Sequence, residues 1–354
     1  MTVRRKSKPI RVGDVTVGGD APVSVQSMTN TDTRDATATI EQIARLEEAG
    51  CEIIRAAVPD VAAVEALSAI KRAIRIPLVA DIHFDYRLAL ASLKAGVDGL
   101  RLNPGNIRDA ENIRMVVRAA KGREVPIRIG VNAGSLPPLP PLKDGELPPT
   151  TAQRMVRAGL DEVRLLEDEG FDLIKLSLKA FDVPTTVEAY RTIADLVPYP
   201  LHLGITEAGT PRTGAIRSAV GIGTLLYMGI GDTIRVSLTA DPVEEMEAGY
   251  EILKSLNLRQ HGPVMVSCPS CGRCEIDLIG LANAVEERLK KLGKPIKVAV
   301  MGCVVNGPGE AREADFGIAG GKGRGVLFRG GEVLCTVEEK DFLDALMREI
   351  DKAS

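Results

Sequence analysis

Seven residues, Cys268-Pro-Ser-Cys271-Gly-Arg-Cys274, carry three thiols, and a fourth follows in Met301-Gly-Cys303-Val-Val-Asn-Gly-Pro-Gly-Glu310. A C-x2-C turn presents two thiolates to one metal centre, and Cys303 brings a third from a separate segment behind a predicted strand. Glu310 stands seven residues on, past a Gly-Pro-Gly turn able to fold its carboxylate back toward Cys303. Such a set suits a cluster held by three thiolates and one weaker oxygen ligand. Structural zinc usually takes four Cys/His ligands in two compact pairs, whereas the second segment offers one cysteine and no nearby histidine. A [4Fe–4S] cluster normally takes four thiolates; three plus a carboxylate leave one iron open to ligand exchange, which suits substrate activation. Cys268, Cys271, Cys274 and Cys303 could also supply four, since tight C-x2-C-x2-C runs hold clusters in ferredoxins.

The segments that must position these groups follow a rhythm. After a short hairpin at 9–17 around Gly13-Asp14, β-branched runs recur near 23–28, 53–58, 77–83, 99–103, 126–132, 173–179, 201–207 and 232–238, each followed by a stretch with helical spacing. Gly50, Gly96 and Gly170 stand where a left-handed residue ends a helix. Eight strand–helix units predict a (β/α)8 TIM barrel over 1–255. A Rossmann fold would need a glycine fingerprint after its first strand, which is missing, and Gly221-Ile-Gly223 lies inside a helical segment. The proline-rich 135–149 stretch is expected to be a surface loop rather than a lid. Residues 256–262 read as a linker. Residues 263–354 read as a small α+β domain carrying the cysteines, in which the glycines of 320–325 make hairpin turns rather than a phosphate loop.

One parity of the barrel strands is polar where layers of Val, Ile and Leu are usual. It carries Arg55; Asp81 and His83; Arg101 and Asn103; Arg128 and Asn132; Lys175, Ser177 and Lys179; Glu207; Arg235 and Ser237. These side chains are expected to point into the barrel toward its C-terminal mouth. Six cations face only Asp81 and Glu207, a surplus of four. Unpaired buried charge is costly, so the pattern points to an anionic, diphosphate-bearing substrate, for which arginine is well suited. His202, at the start of the seventh strand, reads as structural, His261 as a linker residue, and Cys51 and Cys335 as small core residues.

Composition narrows the field. A net charge of −3 and the absence of Trp argue against a nucleic-acid surface. No uncharged apolar run of membrane-spanning length occurs. The basic N-terminus has no apolar core behind it, so a cytoplasmic, reducing location is expected. A barrel lyase or isomerase acting on a sugar phosphate, with structural zinc, is the competing enzyme class. A non-catalytic iron–sulfur sensor would leave the cationic lumen unexplained.

Asp81-Ile-His-Phe, Gly99-Leu-Arg-Leu-Asn-Pro-Gly-Asn106, Ile129-Gly-Val-Asn-Ala-Gly134, Ile205-Thr-Glu-Ala-Gly209, Asp232-Thr-Ile-Arg-Val-Ser-Leu238 and the two cysteine runs together resemble the 4-hydroxy-3-methylbut-2-enyl diphosphate synthase family, from about residue 8 to the C-terminus. The resemblance implies reductive opening of 2-C-methyl-D-erythritol 2,4-cyclodiphosphate in the methylerythritol phosphate route to isoprenoids. It implies a [4Fe–4S] cluster on Cys268, Cys271, Cys303 and Glu310, with Glu310 yielding its iron to substrate. It implies diphosphate binding by Arg55, His83, Arg101, Arg128, Lys179, Arg235 and Ser237, with Asn103 and Asn132 nearby, and Glu207 as proton donor. Reduced flavodoxin or ferredoxin would supply electrons. The family is a homodimer in which one chain's cluster domain closes the other's barrel. Cys274 departs from the family's two-cysteine turn.

Overall fold

The computed structural model describes residues 3–103, 107, 109–139, 141, 147–303, 309 and 311–352. The chain forms two compact units, Met1–Arg259 and Gln260–Ser354.

In the first unit, hairpin strands β1 (Ile10–Val12) and β2 (Val15–Val17) precede eight strand–helix repeats. These are β3 (Ser24–Met28), α1 (Ala36–Glu48), β4 (Ile53–Ala57), α2 (Val61–Ala73), β5 (Leu78–Ile82), α3 (Tyr86–Ala95), β6 (Gly99–Leu102) and α4 (Ala110–Lys121), then β7 (Ile127–Asn132), α5 (Thr151–Asp168), β8 (Ile174–Lys179), α6 (Val183–Leu196), β9 (His202–Leu203), α7 (Pro211–Tyr227), β10 (Thr233–Ile234) and α8 (Pro242–Ser255). The strands are parallel in the order β8-β7-β6-β5-β4-β3-β10-β9, and a parallel bridge between Leu176 and Leu201 closes the ring. The expected barrel is therefore present.

Local chemistry explains the alternation. Asp35, Asp60, Asp85, Asp109, Asp182 and Asp241 each accept a backbone N–H at the start of the helix they precede, the preferred N-cap arrangement. Gly50, Gly96 and Gly170 have φ of +90°, +90° and +63° where helices end. Gly221 sits within α7 because a Cβ there would lie 2.6 Å from the Ile205 side chain. The outward strand residues and inward helix faces form one large apolar shell that includes Cys51, whose burial pushes its thiol up to about 12.

The hairpin closes the bottom of the barrel. Ile10, Val12 and Val17 pack on Ile53 and Val79, which share the inward parity of Arg55 and Asp81. Behind the hairpin, Ser7 donates to Asp232 Oδ1 at 2.8 Å and the Leu201 N–H donates to Oδ2 at 2.8 Å.

The second unit contains β11 (Val264–Ser267), α9 (Leu278–Leu289), β12 (Lys297–Met301), β13 (Phe316–Gly321), β14 (Arg324–Arg329), β15 (Glu332–Glu338) and α10 (Phe342–Lys352). Its sheet runs in that strand order, with β11, β12 and β13 parallel and the rest antiparallel. Leu278, Val285 and Leu289 of α9 meet Phe342, Leu346 and Ile350 of α10 over one sheet face. The 320–325 glycines make the β13–β14 turn, with φ +69° at Gly323. Cys335 is not a core residue: β15 is an exposed edge strand, and the thiol lies in the open.

Asp232→Ala should leave the buried Leu201 N–H and the Ser7 hydroxyl without their acceptor and destabilise the barrel by about 1–3 kcal/mol. Urea unfolding at neutral pH checks this; an unchanged midpoint would remove the Asp232 contacts from the account.

Candidate active site in the barrel lumen and the cysteine turns

The barrel ladder sets the central row of charges. Asp81 is registered with Arg101, Arg101 with Arg128, and Arg128 with Lys175. Like charges directly opposite on neighbouring strands repel, and here three adjacent strands carry them. All four side chains are buried. Asp81 takes Arg101 Nη1 at 3.1 Å and Arg55 Nε at 3.5 Å. Burial alone would raise this carboxyl, but Arg55 and Arg101, then His83 and Arg128, outweigh it and hold Asp81 at about 2. Burial lowers Arg55 to about 10 despite Asp81, and burial with Arg55 and Arg101 pushes Arg128 well below its ordinary value.

Glycines make room for these chains. A Cβ at Gly130 would meet Arg101 Nε at 2.5 Å, and one at Gly204 would meet Lys179 Nζ at 2.5 Å. Arg101 Nη2 donates to the Gly130 carbonyl at 3.2 Å, and Arg128 Nη1 donates to Ser177 Oγ. Arg128 Nε and Nη2, Arg101 Nε and His202 Nδ1 are buried with no hydrogen-bond partner among the described residues. Buried donors without acceptors are unusual in a finished core; a ligand rich in oxygen is the natural complement.

The strands' C-terminal ends carry the remaining candidates. His83 follows β5 and is half-buried; Asn103 follows β6 and is buried, its amide 3.3 Å from Ser135 Oγ. Asn132 ends β7, Lys179 ends β8, and Arg235 and Ser237 follow β10, both part-buried. The mouth of such a barrel is where catalytic groups collect.

Three placements differ from the sequence expectation. The seventh strand is only His202–Leu203, so Glu207 lies in the loop beyond it, exposed, with φ +56°. A non-glycine residue held in that region is strained. The inward parity of this strand is instead that of His202 and Gly204: the imidazole Nε2 lies 3.4 Å from Lys179 Nζ, so His202 belongs to the lumen. The acid that pairs with Arg235 is Glu245 of α8, which sequence reasoning missed. It accepts from Arg235 Nη2 at 3.2 Å, Ser27 Oγ at 3.1 Å and the Leu238 N–H at 3.0 Å. Its signal was an acid sharing the helix stripe of Pro242, Met246, Gly249 and Leu253. Among the described residues, six buried or part-buried cations thus stand against Asp81 and Glu245, a surplus of four.

In the second unit, Ser267 of β11 is registered with Val300 of β12. Cys268 and Cys303 therefore leave neighbouring parallel strands at the same end. The Gly302 N–H donates to Cys268 Sγ at 3.2 Å, and the Gly302 carbonyl accepts from the Glu275 N–H at 3.2 Å, so one residue joins the two cysteine runs. Cys271 is exposed and Cys303 part-buried. Cys274 turns inward, its thiol 3.3 Å from the Ile276 carbonyl. Thiols converging from two strand ends, one already receiving an N–H, fit an iron–sulfur cluster, whose sulfurs are tuned by such bonds. Among the described residues, no three Cys, His, Asp or Glu side chains make a compact single-ion site. Glu310 and residues 304–308 lie outside the described residues.

Residues 7–250 match the GcpE TIM-barrel domain and residues 264–352 the GcpE protein C-terminal domain. The chain belongs to the GcpE family. Among GcpE-family relatives, the 4-hydroxy-3-methylbut-2-en-1-yl diphosphate synthase (flavodoxin) of Dehalococcoides mccartyi is 66% identical over 352 residues, covering 99% of each chain. The protein of the same name from Geobacter sulfurreducens is 62% identical over 350 residues, covering 99% of this chain and 98% of its own. The Yersinia pestis dihydropteroate synthase structure aligns with a TM-score of 0.51 at 12% identity, over 70% of this chain and 98% of that one, a likeness of barrel fold alone.

Asp81→Asn should leave Arg55 and Arg101 unpaired in the lumen and destabilise the chain by about 3–5 kcal/mol. Because folding lowers the Asp81 value to about 2, its contribution is complete above the unfolded carboxyl value, near 4, and fades as pH falls from about 4 to about 2. Acid unfolding of the two proteins should converge over that interval. In the second unit, a Cβ at Gly302 would sit 2.8 Å from Cys274 Sγ and 3.0 Å from Leu278 Cδ2. Gly302→Ala should therefore cost about 1–3 kcal/mol and lower iron and acid-labile sulfide per chain; unchanged metal content would sink the role given to Gly302.

Proposed function

We propose that this chain is a 4-hydroxy-3-methylbut-2-enyl diphosphate synthase of the methylerythritol phosphate pathway. It takes 2-C-methyl-D-erythritol 2,4-cyclodiphosphate, two electrons and two protons to 4-hydroxy-3-methylbut-2-enyl diphosphate and one water. The observation that carries the substrate class is the registered row of Arg101, Arg128 and Lys175 beside one carboxylate, buried and short of acceptors.

The residues divide the work. Arg55, Arg101, Arg128, Lys179 and Arg235 grip the diphosphate, with His83 and Ser237 at its edge and Asn103 and Asn132 orienting the carbon skeleton. Asp81 and Glu245 fix the arginines before substrate arrives, which limits reorganisation during reaction. The hairpin excludes water from below. Glu207, on a strained loop beyond β9, protonates the departing oxygen.

Cys268, Cys271, Cys303 and Glu310 would hold a [4Fe–4S] cluster. Such a cluster would supply one-electron transfer to the substrate, with reduced flavodoxin, the donor in the relatives' names, as its source. Cys274, engaged with Ile276, is not a ligand in this proposal. A cytoplasmic homodimer, with one chain's cluster domain over its partner's barrel, belongs to the same proposal; among the described residues no helix is long and apolar enough to cross a membrane.

The test is anaerobic turnover of the cyclodiphosphate with reduced flavodoxin, followed by phosphorus NMR, beside iron and sulfide analysis. Glu310→Ala should keep a cluster and lose turnover, and Cys274→Ser should keep both. One zinc per chain with no acid-labile sulfide would overturn the proposal in favour of a sugar-phosphate lyase or isomerase.

A further inference from the structure

We propose that Lys179 and His202 form a proton-accepting pair in the barrel lumen, and that an oxyanion enters the lumen together with a proton taken up at this pair. The proposal rests on the lumen being the diphosphate site.

The geometry comes first. Lys179 Nζ lies 3.4 Å from His202 Nε2, the ring is fully buried, and its Nδ1 has no partner among the described residues. Two cationic groups at that separation repel, so a doubly protonated pair is disfavoured unless an anion lies beside it. Among the described residues no carboxylate is within ion-pairing distance of Lys179. The groups facing the pair are overwhelmingly positive. Arg55 comes from β4, Arg101 from β6, Arg128 from β7 and Lys175 from β8, with Arg235 beyond β10. Among the described residues, the acids nearest these cations are already engaged, Asp81 of β5 with Arg55 and Arg101, and Glu245 of α8 with Arg235. Tyr190 of α6 donates its hydroxyl to the His202 carbonyl, away from the ring. Asp232, below, is held by Ser7 and the Leu201 N–H.

Of these cations, arginine cannot shed its proton in a protein, whereas lysine and histidine can. Relief of the crowded charge therefore falls on the lysines and His202. Burial, and behind it Arg128, pushes Lys179 well below the usual lysine value; burial and Lys179 do the same to His202. Lys175, lowered by burial and Arg128 to about 7, is the competing site. In the anion-free lumen the surrounding cations and the close approach of the two groups therefore disfavour charge on this pair. An oxyanion reverses the local field, Nζ takes a proton, and the new ammonium donates to the anion and to His202 Nε2. The reaction consumes two protons, and this pair would load one of them with the substrate.

Calorimetry on the oxidised holoenzyme without reductant tests this, because binding then occurs without turnover. The cyclodiphosphate and inorganic sulfate are suitable probes, since neither carries a proton that titrates near neutrality. At about pH 8, the observed enthalpy in buffers of different ionisation enthalpy should report uptake approaching one proton per chain, and affinity should fall by up to about tenfold per pH unit as pH rises. Lys179→Met should abolish most of the uptake, and His202→Gln should shift the pH at which it occurs. Uptake lost in Lys175→Met but retained in Lys179→Met would overturn the assignment. Binding of either probe by the parent protein with no buffer dependence would overturn proton coupling and leave the diphosphate site standing. No binding of either anion would remove both.

Discussion

The lumen depends on Asp81. One buried carboxylate holds two guanidiniums from the strands on either side of it, and beyond Arg101 the row continues to Arg128 and Lys175, which have no ion-paired acid among the described residues. Without Asp81 the barrel would bring together mutually repelling groups, oriented only by neutral partners such as the Gly130 carbonyl and the Ser177 hydroxyl. With it, part of the charge is neutralised and the rest is left as a field inside a dry wall, where electrostatic effects are strongest. Glu245 repeats the arrangement on the opposite arc, tying Arg235 to α8. Two acids among six cations keep the ring folded without cancelling its attraction for an anion.

The barrel itself was legible because its signals are local and repeated. β-Branched runs, helical spacing and left-handed glycines recur often enough for eight units to be counted, and the hairpin announced itself through Gly13-Asp14. The polar parity was legible for the middle strands, which are long enough for alternation to be read from five or six residues. It failed for the seventh strand, where only two residues pair and the chain then loops. His202 reads as structural from its place at the start of that strand, and Glu207 was counted as strand although alternation has no meaning beyond the last ladder bond.

Two other misses have distinct causes. Glu245 sits on a helix, where acids are ordinarily solvated, and only a tertiary contact with Ser27 and Arg235 draws this one inward. Cys335 was read as a core residue from its strand context, but a strand's neighbours along the chain do not say whether it lies at an edge. The joining of the two cysteine runs at Gly302 was also invisible: it depends on which strands pair in parallel, a long-range fact.

The hairpin under the barrel has a further consequence for traffic. Because Ile10, Val12 and Val17 fill the lower opening, the lumen is a cul-de-sac. A diphosphate product must retreat through the doorway its precursor used, past the same guanidiniums. On the proposed function, grip strong enough to seize a dilute substrate is also grip on the departing product, so residence time and capture would be set by the same side chains and could not be tuned apart.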